Sequence, residues 1–380
     1  MAYYILFLFL SILVLVSNKF NDKQRRISVF IAALAVILFQ GLRWDRGTDW
    51  DTYYNYFQYS IPPPFYYEYG WWLINSLIRD YTGSYNLRLI VESALIVFFN
   101  LRFAKYIGIK NLNAIVLISF TSCIFPVRFG IASAIVLNSY QYIIEKDFKK
   151  FLLLVLLAST IHIAALLVLP IYLIPKKEFK NVFFLLAYLG SIILGYMSGA
   201  VLSILNDLSG IFVGGLDGAL QEKVDGYLGG GVADYSARST LSIILSFISG
   251  AFFITVFNYF RNKNYYFGAY ARIPNICISK QGKSTIVSVN ERYKYTVLFN
   301  MYVVGMCLNR IVAMTVPYLS RVGILISGGF SSLLLLGIER RFKNNIMLIY
   351  FIYIVYQFVL FNSRLHGMYE ELFLPYKSIL

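Results

Sequence analysis

Arg43, Asp45, Arg46, Asp49 and Asp51 crowd one short stretch, interleaved with Trp44, Gly47, Thr48, Trp50 and Tyr53, and Glu68-Tyr69-Gly70-Trp71-Trp72 follows past Pro62-Pro63-Pro64. Carboxylates set among arginines and indoles, partly buried, can have their proton affinities pulled apart, so that one group serves as a base. An interfacial loop of salt-bridged charges with an aromatic belt would use the same residues. Arg128, in Phe125-Pro126-Val127-Arg128-Phe129-Gly130, opens an apolar run with little else polar near it. Such an arginine either snorkels to phosphate headgroups or clamps a phosphate with its planar fork. Arg321 follows Pro317-Tyr318, and Arg310 lies inside the preceding apolar run, where an ionisable group is costly to keep and so points to function, unless it pairs with Glu92. His162 also sits in an apolar run, either as a neutral ring bonded to a carbonyl or as an acceptor for a hydroxyl proton, since its ordinary pKa is ~6.5. His366, beside Glu370-Glu371, reads as a surface residue.

The composition says what must position these groups. Of 380 residues, 58% are hydrophobic and 14% charged, and the mean hydropathy is +0.64, against ~45–50% apolar and ~25% charged for soluble chains. A water-soluble enzyme, a nucleic-acid binder and a disordered chain are all poor fits. The excess of 34 Lys+Arg over 19 Asp+Glu, +15 in all, is what positively charged cytoplasmic loops produce in a membrane protein. Cys123, Cys277 and Cys307 have no ligand spacing and cannot all pair, and with two histidines they indicate neither a disulfide framework nor a metal centre. No cofactor is expected.

Apolar runs recur at 2–17, 27–42, 86–104, 112–126, 129–144, 151–175, 181–205, 239–260, 295–316, 319–338 and 345–362, many long enough for a ~30 Å hydrocarbon core. These eleven segments predict an all-α integral membrane protein, a single polytopic domain over 1–380. The first run lacks a basic start and is followed by Lys19, Lys23, Arg25 and Arg26, which predicts an uncleaved anchor with its N-terminus outside. Positive-inside parity then holds until 151–175, which must return to the cytoplasmic side to keep Lys176, Lys177 and Lys180 inside. The run is therefore expected to be a re-entrant hairpin broken around Ser159-Thr160-Ile161-His162, a geometry tolerated where backbone is buried or lines a wet cavity. On that path, 43–85 is an outer, periplasmic loop with an amphipathic helix, 206–238 a glycine-rich outer loop suited to a lid, and 261–294 a basic cytoplasmic loop. The outward cations are mostly arginine and the inward ones mostly lysine, so the outer face looks built to hold an anion.

The order of these features resembles the EpsG-like branch of bacterial O-antigen and exopolysaccharide polymerases, the Wzy type. The residues that carry it are Arg43…Gly47-Thr48-Asp49-Trp50…Tyr53 with Glu68-x-Gly70, then Arg128-x-Gly130-Ile131-Ala132, then Ala158-x-x-x-His162-x-x-Ala165, and finally Arg321 with Pro375-Tyr376-Lys377. Trp50 and Phe129 depart from the tyrosine and polar residue commoner there. The resemblance implies a GT-C-like polytopic glycosyltransferase bundle in the bacterial inner membrane, working at the periplasmic face on undecaprenyl-pyrophosphate-linked oligosaccharides. It implies transfer of the growing glycan to the non-reducing end of a fresh repeat unit, without a metal and beside a chain-length-determining co-polymerase. Asp49, Glu68 and His162 are the candidate catalytic groups. Arg128 and Arg321, with Arg43, Arg310 and Tyr53, are the candidate substrate contacts. An O-antigen ligase would share the donor and the arginines but make a single attachment, and a lipid-linked oligosaccharide flippase would be expected to show two similar halves. Lipid and lipid-linked glycan are the expected partners, and nucleic acid is not.

Overall fold

In a computed structural model, the structure describes residues 1–63, 68–122, 124–125, 128–196, 240–262, 291–312, 320–342, 345–367 and 370–379. Among these residues every regular element is helical. Among the described residues, five helices are long and apolar enough to cross a bilayer: Ala2–Lys19, Asp22–Gly41, Arg292–Val312, Val322–Arg341 and Ile346–Leu365. Among the described residues the eleven expected apolar segments are thus matched only in part. The run at 112–126 yields only the helix Leu112–Ser122, about 16 Å at 1.5 Å per residue. The run at 86–104 forms a long helix, but Arg88, Glu92, Arg102 and Lys105 lower its apolar character. The glycine-rich 206–238 stretch and most of 261–294 lie outside the described residues.

The chain divides into two compact units, Met1–Leu169 with Leu334–Leu380, and Pro170–Leu333. The first unit begins with α1 (Ala2–Val16) and α2 (Asp22–Gly41). Asn21 starts α2 with a capping box, its side chain accepting from Gln24 N at 2.9 Å while Gln24 Oε1 accepts from Asn21 N at 3.0 Å. Then come α3 (Trp50–Tyr59), α4 (Tyr69–Thr82), α5 (Tyr85–Ile107), α6 (Leu112–Ser122), α7 (Arg128–Ile144) and α8 (Phe148–Ile161). Helix α5 packs on α2 and α7, α7 on α8, and α4 on α8. Leu89 and Val97 on α5, Val136 and Tyr140 on α7, and Phe151 and Val155 on α8 are buried. The opposite faces are apolar too: Leu8, Phe30 and Leu153 are each more than 60% exposed, a surface suited to lipid tails rather than water.

Helix α8 ends at His162, whose extended backbone (φ −149°, ψ 116°) interrupts the run before a 3-10 helix takes over at Ile163–Leu173. The break falls at the expected place, and Pro170 inside the second segment cannot join an α-helical ladder.

The second unit contains α9 (Asn181–Tyr196), α10 (Thr240–Asn262), α11 (Glu291–Val312) and α12 (Ser320–Ser327). Its buried seam is aromatic, with Phe184 against Phe299 at 4.7 Å and Phe257 against Tyr302 at 5.1 Å. Glu178 holds Arg292 with both oxygens, at 2.6 and 2.7 Å, and that pairing lowers the proton affinity of the carboxylate. Helix α13 (Phe330–Arg341) begins in this unit and ends in the first. There α14 (Ile346–Leu365) and α15 (Glu370–Phe373) complete the chain.

Candidate active site

Helix α4 begins under unusual constraint. Glu68, its N-cap residue, has left-handed backbone (φ 50°, ψ 32°), a conformation that costs a side-chain-bearing residue ~1–3 kcal/mol and persists only where the surroundings enforce it. The enforcing contacts are on the carboxylate, which is buried. Oε2 accepts from Arg128 Nη1, at the first turn of α7. Oε1 accepts from the backbone N–H of Ile163 at 3.2 Å and lies 3.7 Å from His162 Nδ1. One carboxylate thus ties the start of α4 to the start of α7 and to the break after α8.

Gly70 makes this possible. A Cβ there would stand 2.4 Å from Thr160 Oγ1 and 2.8 Å from Thr160 Cβ, so only glycine lets the first turn of α4 press against the last turn of α8. The spacing Glu68-x-Gly70 therefore couples a carboxylate to the close approach that delivers it.

The three charged groups differ in access. Glu68 and His162 are 5% and 13% exposed at the side chain, whereas Arg128 is 34% exposed and can meet an anion from outside while the carboxylate fixes its orientation. Phe129 meets the His162 ring edge-on at 5.5 Å. The N–H of Ala164 points at His162 Nδ1 from 3.3 Å. This contact is shorter than the one to Glu68 Oε1, so the Nδ1 edge of the ring faces both a donor and a carboxylate.

Tyr53 stands beside this cluster on α3, edge-on to Trp71 at 6.0 Å. Burial pushes its phenol upward in pKa, and the charge of Arg128 pulls against that shift. Asp49, by contrast, is exposed at the left-handed N-cap of α3, and its side chain caps nothing there. It reaches the cluster only as a neighbouring charge on Tyr53.

Arg43 is buried, its guanidinium 4.5 Å over Phe125 and 5.8 Å over Trp50, with Nη1 reaching Gln40 O at 3.5 Å. Its backbone pairs with Ser378 in an antiparallel bridge. Lys377 O accepts from Trp44 N at 3.0 Å, Leu42 O accepts from Ile379 N at 3.0 Å, and Pro375 O accepts from Arg46 Nε at 2.6 Å. The first and last motifs of the chain thus meet, and Arg43 is held within that joint. Arg310 belongs to the second unit, where Nε donates to Tyr188 at 3.1 Å. The side chain of Arg321, on α12, lies outside those described.

Sequence reasoning passed over Arg88 and used Glu92 only as a partner for Arg310. Glu92 instead faces Arg88 one turn earlier on α5, at 3.1 Å, with both side chains nearly fully buried. The signal was present: two ionisable residues at i and i+4 inside an apolar run.

A helical integral membrane protein with a carboxylate–arginine–histidine cluster set where one helix breaks and two others begin is the class that fold and site define. The chain belongs to the EpsG family, whose model matches residues 26–378, a Wzy-like polymerase family of polysaccharide biosynthesis. No curated protein and no solved structure matches the chain.

Proposed function

We propose that this protein is an O-antigen or exopolysaccharide polymerase of the inner membrane. It transfers the growing undecaprenyl-pyrophosphate-linked glycan to the non-reducing end of a new lipid-linked repeat unit, at the periplasmic face. The observation that carries the reading is the hold of Glu68 on Arg128, which aims a partly exposed guanidinium outward from a buried anchor. In the reaction the bond from the donor sugar's anomeric carbon to the phosphate oxygen breaks, and a bond from that carbon to the acceptor hydroxyl oxygen forms. The departing pyrophosphate keeps the electron pair, and Arg128 stabilises its charge. The acceptor proton passes to a base. Glu68 is committed to Arg128 and to the Ile163 N–H, so Asp49 and His162 are the groups that take this role. Arginine alone suits a leaving group that is already a stable anion, and so the reaction is expected to run without a metal. A co-polymerase sets chain length.

The test is incubation of the purified protein with a lipid-linked repeat unit in detergent and EDTA, with glycans resolved on a gel. A ladder is the expected product. Substrate left unextended by protein that binds it would overturn the polymerase reading in favour of a lipid-linked oligosaccharide flippase, and a single attachment to a lipid A core acceptor would favour a ligase.

A further inference from the structure

Behind the cluster lies a second charged pair with no part in the mechanism above. Arg88 and Glu92 are 1% and 2% exposed, with Arg88 Nη1 3.1 Å from Glu92 Oε2. Arg88 Nε and Nη2, and both carboxylate oxygens of Glu92, are buried without a hydrogen-bond partner, so the charged pair meets without a well-formed hydrogen bond. A pair so poorly satisfied is a weak source of stability, because apolar side chains of similar volume usually fold as well or better in its place. Unsatisfied buried groups of this kind call for another explanation.

The surroundings supply one. The Arg88 guanidinium lies 4.6 Å over the ring of Trp71, 5.3 Å over Tyr85 and 5.4 Å over Tyr53. Trp71 is buried in the first turn of α4, and its N–H donates to Glu68 O at 3.1 Å. Tyr53 feels the charges of Arg128, Glu92 and Arg88 together. Arg88 therefore touches, through flat aromatic faces, both residues that flank the Glu68–Arg128 pair. A planar cation can lie across several rings at once in a way that a compact ammonium cannot.

We propose that Arg88, braced by Glu92, is a positioning residue of the transfer reaction: it fixes Trp71 and Tyr53, and through them the register of Glu68 against Arg128. The inference rests on the polymerase reading of the same site. A residue in this role touches no substrate, so its loss should lower turnover and leave affinity for the lipid-linked unit largely intact.

The test compares wild type with Arg88→Met/Glu92→Met and with Arg88→Lys in the ladder assay across a range of acceptor concentrations, with thermal unfolding in detergent measured alongside. The double variant is expected to melt at or above the wild-type temperature while kcat falls at least about tenfold and KM stays within about twofold. Arg88→Lys keeps the charge and the pairing partner but not the flat face, and is expected to show the same split with a smaller loss. It decides the matter if the double variant does not fold. A wild-type ladder together with unchanged kcat in Arg88→Lys, or in a folded double variant, would overturn this inference alone. A wild type that makes no ladder would overturn the polymerase reading and this inference with it.

Discussion

Gly70 and Thr160 are in direct backbone-to-side-chain contact, close enough that a Cβ on Gly70 would overlap Thr160 Oγ1 at 2.4 Å. Thr160 cannot simply swing away, because Oγ1 donates to Leu157 O at 2.7 Å. Gly70→Ala should therefore push α4 off α8 and cost ~1–3 kcal/mol, read as a lower melting temperature in detergent. It should also cost activity, because Glu68 rides on the same turn. Thr160→Ala in the Gly70→Ala background removes the nearer clash and should recover part of the loss. Purely additive effects would show that the contact does not set the spacing.

Arg128→Ala leaves Glu68 buried with its backbone partner but no cation. Chain growth should fall by at least ~10²-fold, the usual cost of deleting one charge-stabilising donor from an active site, with expression in the membrane retained because the arginine is at the edge of the core. Arg128→Lys should recover little, since an ammonium cannot grip carboxylate and phosphate with one planar fork. Polymer of normal amount and length from Arg128→Ala would remove this residue from the mechanism.

Glu68, Arg128 and His162 were legible as separate notes, Glu68 as a carboxylate in a charged aromatic loop and the other two as polar residues in apolar runs, but their contact was not. What joins them is the close approach at Gly70, and a glycine in sequence does not say which helix it admits. The break at His162 was legible because positive-inside parity demanded one. Arg88 and Glu92 were hidden because a reading by run length treats the charges in an apolar stretch one at a time, although their i, i+4 spacing places them on one helix face. The length of an apolar run did not give the length of a helix: within 112–126 the described helix is Leu112–Ser122. Nothing in the sequence marks the pairing of residues 42–46 with the C-terminal segment, where Ser378 Oγ donates to Leu42 O across 336 positions. Backbone pairing leaves no side-chain period when it is only a few residues long.

Tyr53 contributes to the loss of stability at alkaline pH. Its phenol pKa is raised, first by burial and against the pull of Arg128, so the folded protein keeps the proton to higher pH than the unfolded chain does. Between the unfolded value of ~10 and the higher folded value, unfolding releases a proton, and stability falls as pH rises. Melting temperature in detergent should drop between about pH 9 and about pH 11, and Tyr53→Phe should drop less over the same window. Equal slopes for the two proteins would show that Tyr53 makes no contribution to the alkaline loss.

Tyr376 is the residue through which the C-terminal segment grips the site-bearing loop. Its ring stacks on Phe39 at 4.3 Å and meets Tyr3 edge-on at 5.6 Å, and its hydroxyl donates to Phe39 O at 2.8 Å. The neighbouring backbone then supplies the acceptors for Trp44 N and Gly47 N, Lys377 O at 3.0 Å and Leu372 O at 2.8 Å. Tyr376→Ala removes the anchor of this joint and should cost ~2 kcal/mol or more, whereas Tyr376→Phe loses only a hydrogen bond, ~1 kcal/mol. The discriminating measurement is amide exchange at Trp44 and Gly47, because those two N–H groups are protected only while the C-terminal segment is seated. Faster exchange at both in Tyr376→Ala, with α5 amides unchanged, is the expected pattern. Exchange that rises uniformly along the first unit would mean that Tyr376 supports the unit as a whole rather than the loop carrying Arg43.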